Sequence, residues 1–189
     1  MIWRLLTIIQ VIKNVYLKWL LFRAKVTYNS LPKVIGQPPS INNKGKMILG
    51  DNCRFRALRT SISLDTTNNS AVLLVGKNCF FNYGVNICAT EHIEIGDNTR
   101  IADNVTIFDS DFHCVDQSQS QPKVAPVIIG KNVWIGANVI VLAGSHIGDH
   151  SVVAAGAIVS GKVDPKCLVA GNPAKKIKDL ICDDNWIRS

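Results

Sequence analysis

Starting at Ile129, every sixth residue is aliphatic: Ile129, Ile135, Val141, Ile147, Val153 and Val159. A period of about 3.6 residues would scatter these positions around a helix axis, so the run is not helical. The residues that follow them are mostly small (Gly130, Gly136, Leu142, Gly148, Ala154, Ser160), and two positions before those from Ile135 onward stand Val133, Val139, Ser145, Ser151 and Ala157. Residues two apart in an extended strand point to one side, so each unit is a short strand with two inward side chains, then a corner. Such units close when the chain winds as a coil with three flat sides, about 18 residues per turn, each side bonded to the coils about 4.8 Å above and below. Outward positions then stack, Trp134 under Val152, Ile140 under Ile158, and Ile128 with His146 on the third side. Apolar outward columns need a partner, and repetition of the prism about a threefold axis supplies one.

An earlier block keeps the rule in fragments: Val75, Phe81 and Ile87, a two-residue slip, then Ile95, Ile101 and Ile107. Leu49, Gly50 and Phe55 read as a first, poorly formed coil, and between 56 and 70 the period dissolves into a stretch rich in Ser, Thr and Asn that the repeat does not place. Residues 25–45, with Pro32, Pro38 and Pro39, read as a connector. From Ile107 to Ile129 the spacing is not a multiple of six, so a polar loop is inserted over 109–126. Long irregular loops inside a compact repeat lean toward function. The expected organisation is an N-terminal helix and connector over 1–45, the repeat domain over 46–178, and a C-terminal tail over 179–189.

The chain has 189 residues, 47% apolar and 19% charged, which supports a packed domain and excludes general disorder. Its net charge of +7 is uneven. Residues 1–60 carry the single acid Asp51 among many Lys and Arg, whereas acids outnumber bases in the remainder. A basic end addresses anionic lipid or nucleic acid, and composition does not choose between them. Within Met1–Ala24, charges at Arg4, Lys13, Lys18 and Arg23 exclude a spanning helix. Thr7, Gln10, Asn14 and Lys18 form a polar stripe opposite Leu5, Ile9, Ile12, Tyr16, Trp19 and Leu20. Trp3, Tyr16 and Trp19 suit a lipid-water boundary, and a cap over the end of the domain is the other reading. The six cysteines form no CxxC pair and no zinc spacing, so they read as free thiols. With no signal-peptide pattern the expected location is cytoplasmic, peripheral on the inner membrane face if the helix binds lipid.

Ile95-Gly96-Asp97-Asn98, Ile129-Gly130-Lys131-Asn132-Val133-Trp134-Ile135-Gly136 and Val169-Ala170-Gly171-Asn172-Pro173-Ala174 resemble the hexapeptide-repeat acyltransferases. The match is to their maltose, galactoside and polysaccharide O-acetyltransferase branch and covers about residues 72–178. The resemblance implies an all-β fold, a left-handed parallel β-helix, in homotrimers with acetyl-CoA as co-substrate between neighbouring subunits. It implies no metal. The expected partners are acetyl-CoA, a glycan acceptor and further copies of the chain, not nucleic acid. In Asp109-Ser110-Asp111-Phe112-His113 it implies that His113 is the general base, since an imidazole with a pKa near about 6.5 accepts a hydroxyl proton at neutral pH. Asp109, Asp111, Asp116 or a backbone carbonyl are the alternatives for orienting that ring. Asn82 aligns with an asparagine beside the acceptor, although an asparagine at a corner also suits a turn.

For the coenzyme, the resemblance implies that backbone amides of Ala143, Gly144 and Ser145 bond to the pantetheine arm. Trp134 borders the slot or fills a trimer contact, and Lys175 and Lys176 meet the phosphates or form a solvated tail. The helical domain that precedes the coils in maltose and galactoside enzymes is replaced here by the amphipathic segment. A lipid-carried acceptor, and so a surface-polysaccharide O-acetyltransferase, fits that replacement better than a free small sugar. N-acylation of an amino sugar would use the same base, and a non-catalytic membrane-tethered scaffold is the alternative of another class. The three converging histidines of a carbonic anhydrase of this fold are not reproduced, His146 and His150 being four apart and the others distant.

Overall fold

The computed structural model describes residues 2–188, with side chains described from Gln10 onward. One helix, α1 (Ile2–Arg23), precedes a coil of short strands in three parallel sheets of seven, eight and six strands. Face 1 stacks Thr27–Tyr28, Lys46–Leu49, Val72–Val75, His92–Ile95, Val127–Ile129, His146–Ile147 and Lys162–Val163. Face 2 stacks Lys33–Gly36, Arg54–Ala57, Phe80–Phe81, Arg100–Ile101, Trp134–Ile135, Val152–Val153 and Cys167–Ala170, closed by Lys175–Asp179 running antiparallel. Face 3 stacks Ser40–Asn43, Ser63–Thr66, Asn86–Ala89, Thr106–Phe108, Ile140–Val141 and Ile158–Val159. The fold is a left-handed parallel β-helix, the less common hand for a parallel crossover.

The six-residue period is the inward file of this prism. Ile129, Ile135, Val141, Ile147, Val153 and Val159 are all buried, as are Val133, Val139, Ser145, Ser151 and Ala157 two positions earlier. The outward register is also as expected: Trp134 pairs with Val152, Ile140 with Ile158, and Ile128 with His146. One inward column mixes thiols and hydroxyls, each donating to a nearby carbonyl. Cys53 Sγ donates to Gly76 O at 3.4 Å, Cys79 Sγ to Gly96 O at 3.3 Å, Thr99 Oγ1 to Gly130 O at 2.9 Å and Ser151 Oγ to Asp164 O at 2.7 Å. Buried polar groups are thus satisfied along the stack. All six cysteines are free.

Where face 1 turns into face 2 the coils approach closely. A Cβ on Gly96 would lie 2.5 Å from the Gly130 carbonyl carbon, so only glycine fits. Two residues on, left-handed corners repeat at Asn52, Asn78, Asn98, Asn132, His150 and Lys166. Their amides form a ladder: Asn52 Nδ2 donates to Asn78 Oδ1 and Asn78 Nδ2 to Asn98 Oδ1.

Residues 25–45 are not a connector. Their strands pair in register with Ile48–Leu49, Arg54–Ala57 and Ser63–Thr66, so they are the first coil. The unplaced stretch 56–70 belongs to the second coil, with Ala57, Ile62, Leu64 and Thr66 buried. Thr66 Oγ1 accepts from the Lys44 and Gly45 amides, both at 2.9 Å, and donates to Asn43 Oδ1 at 2.7 Å, which is why a polar residue can point inward here.

Helix α1 caps this end of the coil through Leu17 and Leu21, at 3% and 0% exposure, with Leu20 and Ala24 packed beside them. It stops at Lys25, whose φ of 53° is left-handed. Val26 N donates to Leu21 O at 2.9 Å and Lys25 N to Phe22 O at 3.0 Å, a Schellman ending closed by contact between the buried Val26 and Leu21. A second, outward face exposes Val11, Ile12, Val15, Tyr16, Trp19 and Phe22. The stripes read from the sequence are therefore rotated: Ile12 and Trp19 face away from the coil, with Tyr16 at the edge between the two faces. The side chains of Trp3, Arg4, Leu5, Thr7 and Ile9 lie outside the described residues. No helix among the described residues is long and apolar enough to cross a membrane.

Candidate active site

The inserted loop leaves at the corner between faces 3 and 1. Its stem is a short antiparallel ribbon: Ser110 bridges Val124, Asp111 N donates to Lys123 O at 3.0 Å, and Ala125 N to Asp109 O at 2.9 Å. Phe112, at φ 59°, turns the chain and meets Phe108 edge-on at 5.4 Å. His113 follows on the exposed tip, its amide donating to Asp111 O at 2.7 Å.

Asp109 does not orient His113. It is fully buried, with Oδ1 accepting from Thr90 N at 2.7 Å and Oδ2 from Glu91 N and His92 N, both at 2.8 Å. It therefore ties down the corner where the period slips by two residues. Asp116 accepts from the Ser118 amide and hydroxyl, which hold its carboxyl below the usual range. Of the three aspartates considered, Asp111 alone has a carboxylate not committed to such bonds among the described residues.

Gly144 stands at the same corner one coil later and donates its amide to Ala125 O, 3.1 Å away. The Leu142–Ser145 turn closes through Ser145 N to Leu142 O at 3.1 Å, with Gly144 at φ 82°. A Cβ on Gly144 would meet only Ala125 Cβ, at 3.5 Å, and one on Gly161, the next coil's corner, would meet nothing within 4 Å. This edge is bare and can carry an extended chain. The Gly144 and Ser145 amides are already used within the coil. Ser145 Oγ, also buried, donates to Leu142 O at 2.6 Å and Val159 O at 3.0 Å. Ser145 is thus a pin of the turn, and of the three amides expected to serve the pantetheine only that of Ala143 is without a bond among the described residues.

Asn82 lies at the other end of face 3, on the corner that follows Phe81. It is half-buried, its amide donates to Ile101 O at 2.9 Å, and its Oδ1 accepts from Tyr83 N at 3.1 Å. Interaction with Asp103 raises the Tyr83 phenol above its ordinary pKa. Trp134, 46% exposed, stands on face 2, opposite the His113 corner. Lys175 and Lys176 lie on the closing antiparallel strand of face 2. Lys176 Nζ is paired with Asp179 at 2.6 Å, whereas Lys175 has no carboxylate partner among the described residues. One chain therefore joins His113 to Ala143 and Gly144, and sets Asn82, Trp134 and the two lysines apart from them. A cleft of about 430 Å³ beside Lys131, His150, Lys166 and Trp186 contains none of these residues.

The family model for the bacterial transferase hexapeptide (six repeats) matches residues 126–161, and that for the hexapeptide repeat of succinyl-transferase matches 72–109. Galactoside O-acetyltransferase of Escherichia coli is 35% identical over 108 residues, 56% of this chain and 53% of that protein. The chain thus spans about half the length of that relative. WbbJ of Escherichia coli, named for lipopolysaccharide biosynthesis as an O-acetyl transferase, is 33% identical over 157 residues, 77% of this chain and 78% of its own. Among solved structures, a galactoside acetyltransferase in complex with coenzyme A superposes with a TM-score of 0.52 at 26% identity, covering 87% of this chain and 72% of that one. A Vibrio cholerae hexapeptide-repeat acetyltransferase complexed with acetyl coenzyme A gives 0.55 at 25%, covering 83% and 72%. The chain belongs to the hexapeptide-repeat acetyltransferases.

Proposed function

We propose that this chain transfers acetyl from acetyl-CoA to a sugar hydroxyl of a bacterial surface polysaccharide or its lipid-linked precursor. The observation that carries this reading is the shared corner: the loop bearing His113 is rooted through Ala125 on Gly144, at the bare edge that suits an extended pantetheine. His113 takes the proton of the acceptor hydroxyl as its oxygen attacks the thioester carbonyl. The tetrahedral intermediate collapses with cleavage of the carbon–sulfur bond, and the imidazolium returns its proton to the departing thiolate. Asn82 Nδ2 donates to the oxyanion or to a neighbouring hydroxyl.

Within one chain face 3 separates Asn82 from His113, so the site takes Asn82 from a neighbouring copy. That supports a homotrimer with a site at each junction. Lys175 is the better placed of the two lysines for a coenzyme phosphate, because Lys176 already holds Asp179. The outward face of α1 supports peripheral attachment to the inner membrane surface. Its aromatic and aliphatic side chains are accompanied by Lys13 and Lys18, and Arg23 lies 5.4 Å from the Trp19 ring centre. The relative named for lipopolysaccharide biosynthesis supports an acceptor built on a lipid carrier.

The test is to follow thiol release from acetyl-CoA with glycans extracted from the source cell surface and with their lipid-linked precursors. Acceptor-dependent release, with acetyl ester found on the glycan, is expected. A scaffold would give none with any acceptor, and amide in place of ester would move the assignment to N-acylation.

A further inference from the structure

On face 2 an arginine follows the last ladder pair in the coil beneath the corner that carries Asn82. Arg54 pairs with Phe80 and Phe55 with Phe81, where this ladder ends; Arg56 and Asn82 are the next residues on the two strands, one coil apart. Below Arg56 is Ile35 of the first coil. At the adjoining corner the Arg59 guanidinium carbon lies 5.8 Å from the centre of the Tyr83 ring, and Tyr83 is the immediate neighbour of Asn82. Arg56 and Arg59 are both exposed, and among the described residues neither has a carboxylate within ion-pair distance. Their charges act on the Tyr83 phenol from below, against Asp103 one coil above. The acid that acts on this phenol, Asp103, thus lies on the side of Tyr83 away from α1.

Helix α1 supplies the second observation. Gln10, Lys13, Tyr16 and Leu17 line a groove with Val34, Gly36 and Pro38, so the helix runs beneath this same corner of the prism. Tyr16 also belongs to the exposed apolar face. From the helix upward, one edge presents apolar side chains, then two unpaired guanidiniums, then Asn82. A lipid chain, a phosphate and a sugar occur in that order in a glycan carried on a membrane lipid.

We propose that Arg56 and Arg59 form an anion-binding step that takes the phosphate joining the acceptor sugar to its lipid carrier. This rests on the assignment of Asn82 to the acceptor side of the site. Two guanidiniums suit phosphate oxygens through paired N–H donors, and their position below Asn82 fits the reducing end of the sugar rather than a carboxylate elsewhere on it.

The test is calorimetric binding to the full chain saturated with coenzyme A, using N-acetylglucosamine 1-phosphate, N-acetylglucosamine, glucuronic acid and inorganic pyrophosphate as probes. The 1-phosphate is expected to bind about tenfold or more tighter than the neutral sugar, with the advantage shrinking in high salt. Arg56→Gln with Arg59→Gln removes that advantage, the paired lysine substitutions retain much of it, and Arg54→Gln, which alters an arginine 5.7 Å from the Phe80 ring centre, leaves it intact. Failure of both phosphate probes to bind, or binding indifferent to the double glutamine variant, overturns the proposal. Tight binding of glucuronic acid with no advantage for the 1-phosphate overturns the assignment to phosphate. If phosphate binding behaves as expected but no acceptor ever yields thiol, the transferase reading fails and this one stands. If transfer proceeds equally well in the double variant, only this one fails.

Discussion

The carboxylate of Asp109 holds the amide of Thr90 at 2.7 Å across one coil, and the same group takes the amides of Glu91 and His92. It closes the corner where the period slips and anchors the first residue of the loop. Asp109→Asn would leave part of this set unmet in a fully buried position and is expected to cost about 2–3 kcal/mol of unfolding free energy. Denaturant titration measures this. The pH dependence of residual activity should match that of the parent protein, because Asp109 does not address the His113 ring; a displaced pH profile would restore it as an orienting group.

Replacing His113 with Ala is expected to lower turnover by about 100-fold or more while coenzyme binding stays near the parent value. Steady-state thiol release paired with a coenzyme titration separates the two quantities. Activity within about threefold of the parent would remove His113 from the role of base.

The two faces of α1 predict a double dissociation. Ile12→Ser with Trp19→Ser alters exposed positions and should abolish flotation with anionic vesicles while leaving thermal stability within about 0.5 kcal/mol. Leu21→Ser alters a fully buried position and should destabilise the fold by about 2 kcal/mol or more. Flotation that survives the first pair of changes would leave α1 as a cap only.

Thiol labelling should sort the cysteines by environment. Burial, with help from Asp65 and Asp109, pushes the Cys88 thiol up to about 11. At a pH of about 8 only about one thiol in 1,000 is then ionised, so iodoacetamide should modify Cys88 far more slowly than the exposed Cys114. A label on Cys114 stands next to His113 and should block transfer, and acetyl-CoA should slow its attachment. Mass mapping of labelled peptides with parallel activity measurements tests this; full activity after stoichiometric labelling of Cys114 would place the loop away from the thioester.

The later coils are legible because their two inward positions are filled by β-branched and small residues, the polar ones being small hydroxyls such as Thr99, Ser145 and Ser151. The first two coils are not. Their strands run to four residues, so that Ala57, Ile62, Leu64 and Thr66 do not repeat every six, and the inward Thr66 looks like loop chemistry until its partners in the coil below are known. Pro38 and Pro39 read as linker punctuation, yet they occupy a corner, where no ladder hydrogen bond is needed. The asparagine ladder has its own sequence signal: Gly50-Asp51-Asn52, Gly76-Lys77-Asn78, Gly96-Asp97-Asn98 and Gly130-Lys131-Asn132 repeat one corner. At the site, the loop follows from the broken period, and the choice of His113 within it from the family resemblance. The inward turn of Ser145, the diversion of Asp109 and the distance from Asn82 to His113 around the prism depend on which corner each residue occupies, and no local pattern encodes that.

Because Val34, Phe55 and Phe81 fall in one vertical file with a fixed rise per turn, the prism behaves as a ruler whose zero is the N-terminal helix. On the proposed role of Asn82, the reactive level would lie roughly 10 Å above the first coil, and adding or deleting a turn below it would raise or lower that level by about 5 Å without altering a single reacting group. Reach toward the proposed anchored acceptor would then be set by counting windings, independently of the residues that perform the transfer.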